Sequence, residues 1–332
     1  MPANKDKILA ILLKVKEYIS GEEISKSLGI SRTAVNTAVK ALRSEGCEIQ
    51  SVTNKGYKLI SSTDKLSVGK IMAHLSKERK GDITVLETVN STNNYLKELS
   101  LQGKTSYGDC IVANEQTKGK GRLGRTFSSV ADKGIYLSYL INPKGQSPLV
   151  LSQITAWGAV AVRDAICEVC GVSPEIKWVN DLVYEGKKLC GILTEMSIVG
   201  ESTEAENAVI GIGINVNQRS EDFPDEIKEI ATSVEIITGN EQDRARLCAA
   251  VVEKLDKLVY DFPENKKYYL DQYRKSSAIL GKNIRIIKNG TERFGTALDI
   301  DDDFGLEVMF DDGKKETVTG GEVSVRGFYG YI

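Results

Sequence analysis

Glu115-Gln116-Thr117-Lys118-Gly119-Lys120-Gly121-Arg122-Leu123-Gly124-Arg125 decides the fold class of this sequence. Within it, Gly119–Gly124 fits G-x-G-x-x-G, the spacing of a dinucleotide-binding turn. Such a turn leaves a strand and opens a helix, so that the helix N-terminus meets the pyrophosphate. Here a strand-like segment, Asp109–Glu115, precedes it, but Thr126-Phe127-Ser128-Ser129 and a second apolar strand pattern, Gly134–Ile141, follow. The setting is strand to strand, so the doubly wound dinucleotide fold fails. What remains is a loop carrying Lys120, Arg122 and Arg125 between glycines, suited to close around a phosphate or carboxylate. A solvated basic loop is the plainer alternative.

Outward from this loop, strand and helix patterns alternate. Asp82–Val89 is strand-like, and Ser91 stands where it would cap a helix over Thr92–Ser100. Pro148–Cys170 predicts one long apolar helix, Glu175–Val179, Lys188–Ile198 and Ala208–Val216 predict strands, and Glu241–Phe262 and Tyr268–Ser277 predict helices. The sum is an α/β domain with a mixed, largely antiparallel sheet. Two more clusters carry chemistry. Lys177-Trp178-Val179-Asn180-Asp181 ends in a turn whose carboxylate can reach a metal or orient a lysine, and Lys188 heads an otherwise apolar strand, where an unpaired cation is costly. Gly211-Ile212-Gly213-Ile214-Asn215 places glycines inside a strand, a mark of close approach by ligand or backbone. Asn180-Asp181 alone would read as a simple turn.

The N-terminal 60 residues are different in kind. Ile8, Leu9, Ile11, Leu12, Val15 and Ile19 share one helical stripe, Ser20 and Glu23 form a capping-box pattern, and Ser31 caps a helix with Val35, Val39 and Leu42 inward. Gly29-Ile30 joins these two short helices, which is helix-turn-helix spacing. The outer face of the second helix holds Arg32, Thr33, Asn36, Thr37 and Lys40, side chains of the types that pair with base edges and phosphates. Cys47–Ile60 predicts a hairpin around Asn54-Lys55-Gly56, a wing with Lys55 near its tip. Residues 1–60 hold ten Lys/Arg and six Asp/Glu, a net of +4, which leaves −6 of the overall −2 for the remainder. A basic head on an acidic body favours a polyanionic partner, against an ordinary three-helix interaction unit. Ser61–Asp64 is expected to be a linker.

Composition excludes several classes. Hydrophobic residues make up 41% and charged residues 27%, which rules out a disordered or collagen-like chain. No apolar run is expected to approach a membrane span, and Ile8–Leu13 is too short for a signal-peptide core, so a cytoplasmic protein without membrane attachment is expected. One His, His74, leaves almost no material for a His-based metal site or a Ser-His-Asp triad. Cys167-x-x-Cys170 lies in a helical pattern and reads as buried thiol rather than redox or zinc site. Chemistry must rest on Lys, Arg, Asp, Asn and backbone.

Val89-Asn90-Ser91-Thr92-Asn93, the Glu115–Arg125 loop, KWVND at 177–181, Lys188–Leu193, GIGINVN at 211–217 and Gly320–Arg326 occur in an order that resembles the family of bifunctional biotin protein ligases and biotin-operon repressors. The resemblance spans essentially the whole chain. It implies an α+β multidomain architecture: a winged helix-turn-helix over 1–63, a ligase domain over 64–277 and a small C-terminal β-barrel over 278–332. It implies biotin contacts from Ser91, Thr92, Asn93, Gln116, Lys120, Gly121, Arg122, Lys188 and Gly191. ATP contacts are implied from Arg125, Phe127, Lys177, Asn180, Asp181, Asn215 and Arg326, with Lys188, Arg122, Asp181 and Lys177 as the catalytic set and Asp181 as a Mg²⁺ ligand. DNA contacts are implied from Ser31, Arg32, Thr33, Asn36, Thr37, Lys40 and Lys55. The implied partners are a biotin carboxyl carrier protein, operator DNA and, with adenylate bound, a second copy of the chain. Two departures stand out: Lys120 replaces an arginine of the loop, losing a bidentate fork, and Phe127 stands where some members have Trp.

Two other functions stay open on sequence grounds: a lipoate or octanoate ligase of the same reaction class, and a transcription factor whose central domain senses a ligand without turnover. A transferase working without ATP would need a nucleophile, and Cys190 and Cys110 sit in apolar strand patterns.

Overall fold

The computed structural model describes residues 2–76, 79–142, 145–197, 205, 207–288, 290–319 and, for backbone only, 323–327. The head comprises α1 (Asn4–Lys14), α2 (Gly21–Leu28), α3 (Arg32–Ser44) and the hairpin β1 (Glu48–Val52) and β2 (Gly56–Ser61). Ser20 and Ser31 accept hydrogen bonds from the backbone N–H groups of Glu23 and Ala34, each at 3.1 Å, capping α2 and α3. Gly29 ends α2 at φ +64°. Ile8, Leu12, Ile24, Val35, Val39 and Leu42 form the head's own core. The first helix stops at Lys14, so Val15 and Ile19 leave the expected stripe. Ile19 instead exchanges backbone hydrogen bonds with Tyr57 at 2.9 and 2.8 Å, adding a third strand segment to the wing. Gly56 permits this crossing: a Cβ there would lie 2.1 Å from the Ile19 carbonyl oxygen.

Residues 61–67 are held firmly, unlike a free linker. The Asn114 side chain bonds both Leu66 N–H (2.9 Å) and Leu66 C=O (3.1 Å), and Arg244 donates to the Asp64 carbonyl at 2.6 Å. Next, α4 (Val68–His74) lies against α1, so close that a Cβ on Gly69 would stand 2.6 Å from the Asp6 carbonyl oxygen.

The central region runs β3 (Ile83–Val89), α5 (Thr92–Leu101), β4 (Cys110–Gln116), β5 (Ile135–Ile141), α6 (Pro148–Ser152), α7 (Ile154–Cys170), β6 (Glu175–Lys177), β7 (Asp181–Tyr184), β8 (Lys187–Ser197), β9 (Asn207–Ile214), α8 (Val234–Thr238), α9 (Arg244–Asp261) and α10 (Lys266–Lys275). Its seven strands are ordered β3-β4-β5-β9-β8-β7-β6, parallel only at β3–β4. Strand alternation separates two cores. Cys110, Val112, Leu137, Tyr139, Ile210 and Ile212 face α7 and α9, whereas Ile111, Leu140 and Val209 face α5. The expected strand over 175–179 ends at Lys177, and the Trp178–Val179 peptide is cis. The expected single helix over 148–170 is divided at Gln153. Contrary to expectation, Pro148–Cys170 is by length and composition apolar enough to cross a membrane, yet 67% of its most apolar window is buried in the protein. Its apolar character serves the core: Trp157 stacks on Tyr269 with ring centroids 4.0 Å apart.

The C-terminal part holds β10 (Asn283–Lys288), β11 (Thr291–Ile300), β12 (Leu306–Phe310), β13 (Lys315–Val318) and β14 (Val323–Gly327). They form an antiparallel sheet ordered β13-β12-β11-β10-β14. The described residues show no pairing of β13 with β14, so a closed barrel is not seen. This sheet shares the main core, and Trp178 donates its indole N–H to the Phe304 carbonyl at 2.9 Å.

Candidate active site

A small cleft opens where the start of α5, the end of β4, the 119–125 loop, β8 and β9 converge. The two strand glycines make room for it. A Cβ on Gly211 would lie 2.2 Å from Asn93 Oδ1, and one on Gly213 would lie 2.5 Å from the Phe127 ring. Being two residues apart they share one strand face, with centres roughly 7 Å apart. Asn93 and Phe127 thus mark two neighbouring parts of one cleft.

The part at Gly211 is neutral, polar and buried. Ser91, Thr92 and Asn93 are at most 4% exposed, and Ser138 is fully covered. Ser91 occupies the N-cap position of α5 but makes no capping bond, and it is one of the residues lining the cleft. Gln116 Oε1 accepts from the Thr92 N–H at 2.9 Å and faces the Thr92 hydroxyl at 3.1 Å, and Gln116 Nε2 donates to Ser129 Oγ at 2.9 Å. Asn93 is held by Ser138 on one side and by Glu195 on the other.

The part at Gly213 is cationic. Arg122 donates to Asn180 Oδ1 at 3.1 Å, and Asn180 is fixed by two hydrogen bonds with the Ile192 backbone, each 2.9 Å. Burial pulls the Arg122 guanidinium below its ordinary value, partly offset by Asp181. Lys188, which stands where an unpaired cation would be costly, is paired: its Nζ lies 2.8 Å from Asp181 Oδ1 and 6.0 Å from the Phe127 ring centroid. An ammonium has three donors, so this pairing leaves donors for an anion. Phe127 meets Tyr136 edge to face at 6.4 Å.

The loop is a closed turn between extended segments. Phe127 N–H donates to the Gly119 carbonyl at 3.0 Å and Gly121 N–H to the Arg125 carbonyl at 2.7 Å, below a short 3-10 turn over Arg122–Gly124 with Leu123 at φ +57°. No helix follows, which removes the dinucleotide geometry. Lys120 donates to Asn94 Oδ1 at 2.7 Å.

The structure thus brings Ser91, Thr92, Asn93, Gln116, Lys120, Gly121, Arg122, Phe127, Asn180, Lys188 and Gly191 around one cleft, with Asp181 behind Lys188. Asn215 lines an adjoining hollow with Phe127, Lys188, Phe223, Ile227 and Ile230, and it donates to the Thr232 carbonyl at 3.0 Å. Lys177 lies apart from the cleft lining: it is buried, opposite Asp181 in the β6–β7 register. Arg125 is exposed at the base of the loop. Arg326 pairs with Arg285 through the backbone of β14, and its side chain lies outside the described residues. Sequence reasoning missed Ser138, Glu195, Lys97 and the apolar wall at Phe223, Ile227 and Ile230. Lys97 alone left a trace, four residues after Asn93 and so on its helix face.

Burial pushes the Cys110 thiol up to about 12 and the Cys190 thiol well above its usual range, so neither is a ready nucleophile. No group of three or more metal-ligating side chains occurs among the described residues. In the head, Ser31, Arg32, Thr33, Asn36, Thr37, Lys40 and Lys55 are all exposed, while Lys58 pairs with Glu17 at 3.6 Å.

Residues 85–215 match the biotin/lipoate A/B protein ligase family, 4–58 an HTH domain and 279–326 the biotin protein ligase C terminal domain. The chain is 39% identical over 304 residues to the bifunctional ligase/repressor BirA of Bacillus spizizenii, covering 90% of this chain and 92% of that one. The chain belongs to the bifunctional biotin protein ligase family. The Escherichia coli bifunctional ligase/repressor BirA is 30% identical over 96% of both chains. Among solved structures, the Aquifex aeolicus biotin protein ligase in complex with biotin and ATP is 31% identical, with a TM-score of 0.65, covering 75% of this chain and 100% of that chain. Membership in this family agrees with an ATP-dependent ligase fold joined to a DNA-binding head.

Proposed function

We propose that this chain condenses biotin with ATP to biotinyl-adenylate and pyrophosphate, passes biotin to a lysine of a biotin carboxyl carrier protein, and represses biotin genes through its head. The observation that carries this reading is the juxtaposition of a buried neutral floor at Thr92 and Asn93 with the cations Arg122 and Lys188, in one cleft. A neutral hydrogen-bonding ring suits the floor, and a carboxylate beside a phosphate suits the cations. The floor also favours biotin over lipoate or octanoate, whose far ends offer little to hydrogen-bond.

In the first step a biotin carboxylate oxygen bonds to the α-phosphorus and the bond to pyrophosphate breaks. Charge builds on the phosphoryl oxygens, and preorganised Arg122 and Lys188 stabilise it there. In the second step the acceptor amine attacks the anhydride carbonyl, AMP leaves, and the amine proton passes to solvent. No enzyme nucleophile is required. Positioning supplies the remainder, from Ser91, Gln116, Gly121 and Gly191 on the biotin side and from Phe127, Asn180 and Asn215 on the nucleotide side. Lys177, Arg125 and Arg326 remain assigned to ATP on resemblance, and Lys120 to biotin. Asp181 is the carboxylate that would hold Mg²⁺: a single hard oxygen ligand fits a cation that completes its shell with water and phosphate oxygens. When bound, the ion would neutralise phosphate charge.

The exposed face of α3 with Lys55 on the wing supports operator binding, by a homodimer formed when adenylate is bound. Closure of the Gly119–Arg125 loop would shield the water-labile anhydride. We further assign 1–63, 64–277 and 278–332 as the three domains, the last a small β-barrel, and the cytoplasm as the place of action, where ATP and carrier protein are at hand. Pyrophosphate release from ATP with biotin, with lipoate and with neither separates the readings. Release strongly favouring biotin over lipoate is expected, and release favouring lipoate, or release equal with and without either acid, would overturn the assignment. Equal operator affinity with and without biotin and ATP would remove the sensing role.

A further inference from the structure

We propose that Glu195 and Lys97 are positioning residues that lock the Asn93 amide in one orientation, and that this lock makes the cleft selective for an acid whose far end is a hydrogen-bonding ring. The inference rests on the biotin reading above and names the side chains that enforce it.

A primary amide presents two donors on one edge and an acceptor on the other, and its orientation is set only by what surrounds it. Asn93 is 4% exposed, so water cannot set it. Asn93 Nδ2 donates to Glu195 Oε2 at 2.7 Å, and Asn93 Oδ1 accepts from Ser138 Oγ at 2.5 Å. An ionised carboxylate only accepts, so Glu195 dictates which edge of the amide faces it, with the Leu193 carbonyl as a second, longer acceptor of Nδ2 at 3.4 Å. The second oxygen, Glu195 Oε1, is taken by Lys97 Nζ at 2.6 Å. Burial works to raise the Glu195 carboxyl, but the hydrogen bonds from Lys97 and Asn93 outweigh it and hold the group below its ordinary value. Its ionised form is thereby secured.

The consequence reaches the floor through Ser138. That hydroxyl has one hydrogen and two acceptors within reach, Asn93 Oδ1 and Thr92 Oγ1, the latter at 2.7 Å. With Oδ1 turned toward Ser138, the hydrogen is drawn to Asn93; with the amide reversed, Ser138 would have to accept and Thr92 would receive the hydrogen. Glu195 therefore sets the donor and acceptor order along Asn93, Ser138 and Thr92. Gly211 completes the lock, because the amide lies flush against its bare Cα. A site with a fixed polar order discriminates strongly against a ligand that cannot answer it, since its buried groups are left unmatched.

The test is steady-state pyrophosphate release by the full-length chain with biotin and with lipoate, for wild type, Glu195→Gln, Lys97→Met, Lys97→Arg and the double variant. Both Glu195→Gln and Lys97→Met are expected to raise KM for biotin about tenfold with kcat within about threefold, lowering the biotin-to-lipoate preference by a similar factor. Lys97→Arg should restore most of it, and the double variant should be no worse than Glu195→Gln. Unchanged KM for biotin in the single variants would overturn the lock, as would equal losses with both acids. Should Glu195→Gln fail to fold, Lys97→Met and its rescue decide the matter. Calorimetric biotin binding without ATP separates the two levels: a tenfold weakening there upholds the lock even if the wild type releases no pyrophosphate, an outcome that would sink only the proposed reaction.

Discussion

The neutral floor of the cleft and the cationic loop beside it both present polar side chains to the same space but are held in opposite ways. Thr92, Asn93 and Ser138 are buried and knitted to Gln116 and Glu195, so their order exists before any ligand arrives. The loop is tied by its two backbone closures, by Lys120 to Asn94 and by Arg122 to Asn180, while Leu123 is 48% exposed. Burial makes the floor a rigid reader. Exposure leaves the loop a device whose worth depends on the charge it meets.

If this contrast holds, the largest effect belongs to the cations. Arg122→Ala and Lys188→Ala should each lower the rate of pyrophosphate release by ~10²–10³, and near-normal rates in both would break the contrast. Next come the glycines. Gly213→Ala drives a methyl into the Phe127 ring and Gly211→Ala drives one into Asn93, so each should lose about 1–3 kcal/mol in urea denaturation. Gly124→Ala meets nothing within 4 Å but sits at φ +70°, and should lose only about 1 kcal/mol. A reversed order would mean that the floor yields and the loop does not. Lys120→Met removes one exposed hydrogen bond and should cost less than about 1 kcal/mol. Its readout is the protease sensitivity of the loop, expected to fall with biotin plus ATP in wild type and to fall less in the variant. The smallest effect is pH-dependent. The folded Glu195 carboxyl lies below its ordinary 4.5, so its stabilisation is complete above that value and fades as pH falls through the lower, folded one. Glu195→Gln should flatten the acid limb of the stability profile, measured by thermal unfolding between pH 3 and 6 (roughly the window of carboxylate titration).

The head was the more legible region. Its helices follow from apolar spacing, its caps from Ser20 and Ser31, and its turn from Gly29, all local effects carried by a few adjacent residues. Even there, the end of α1 at Lys14 escaped, because Ile19 pairs with Tyr57 across 38 positions of sequence (57 − 19) and pairing outweighs the helical stripe. In the central region the loop, the strand glycines and Lys188 announced themselves by composition. Their partners were less visible: the Asp181 carboxylate was expected to meet a metal or a lysine without Lys188 being singled out, and nothing near Asn93 points to Glu195.

By itself, the sequence determined most of the elements and their order, the exclusion of the dinucleotide turn and the residue types left for catalysis, since periodicity, caps and composition act over short spans, while α4, β7 and α8 escaped it. Tertiary structure alone decided which of those residues meet. Lys188 reached the cleft while Lys177 stayed outside its lining, because β6 lies at the sheet edge, two strands from the cleft-lining β8, with Lys177 set opposite Asp181 and Asp181 opposite Gly191. The orientation of the Asn93 amide was likewise invisible in sequence: its two edges differ by a hydrogen count, and burial against Glu195, Leu193 and Ser138 makes that difference matter.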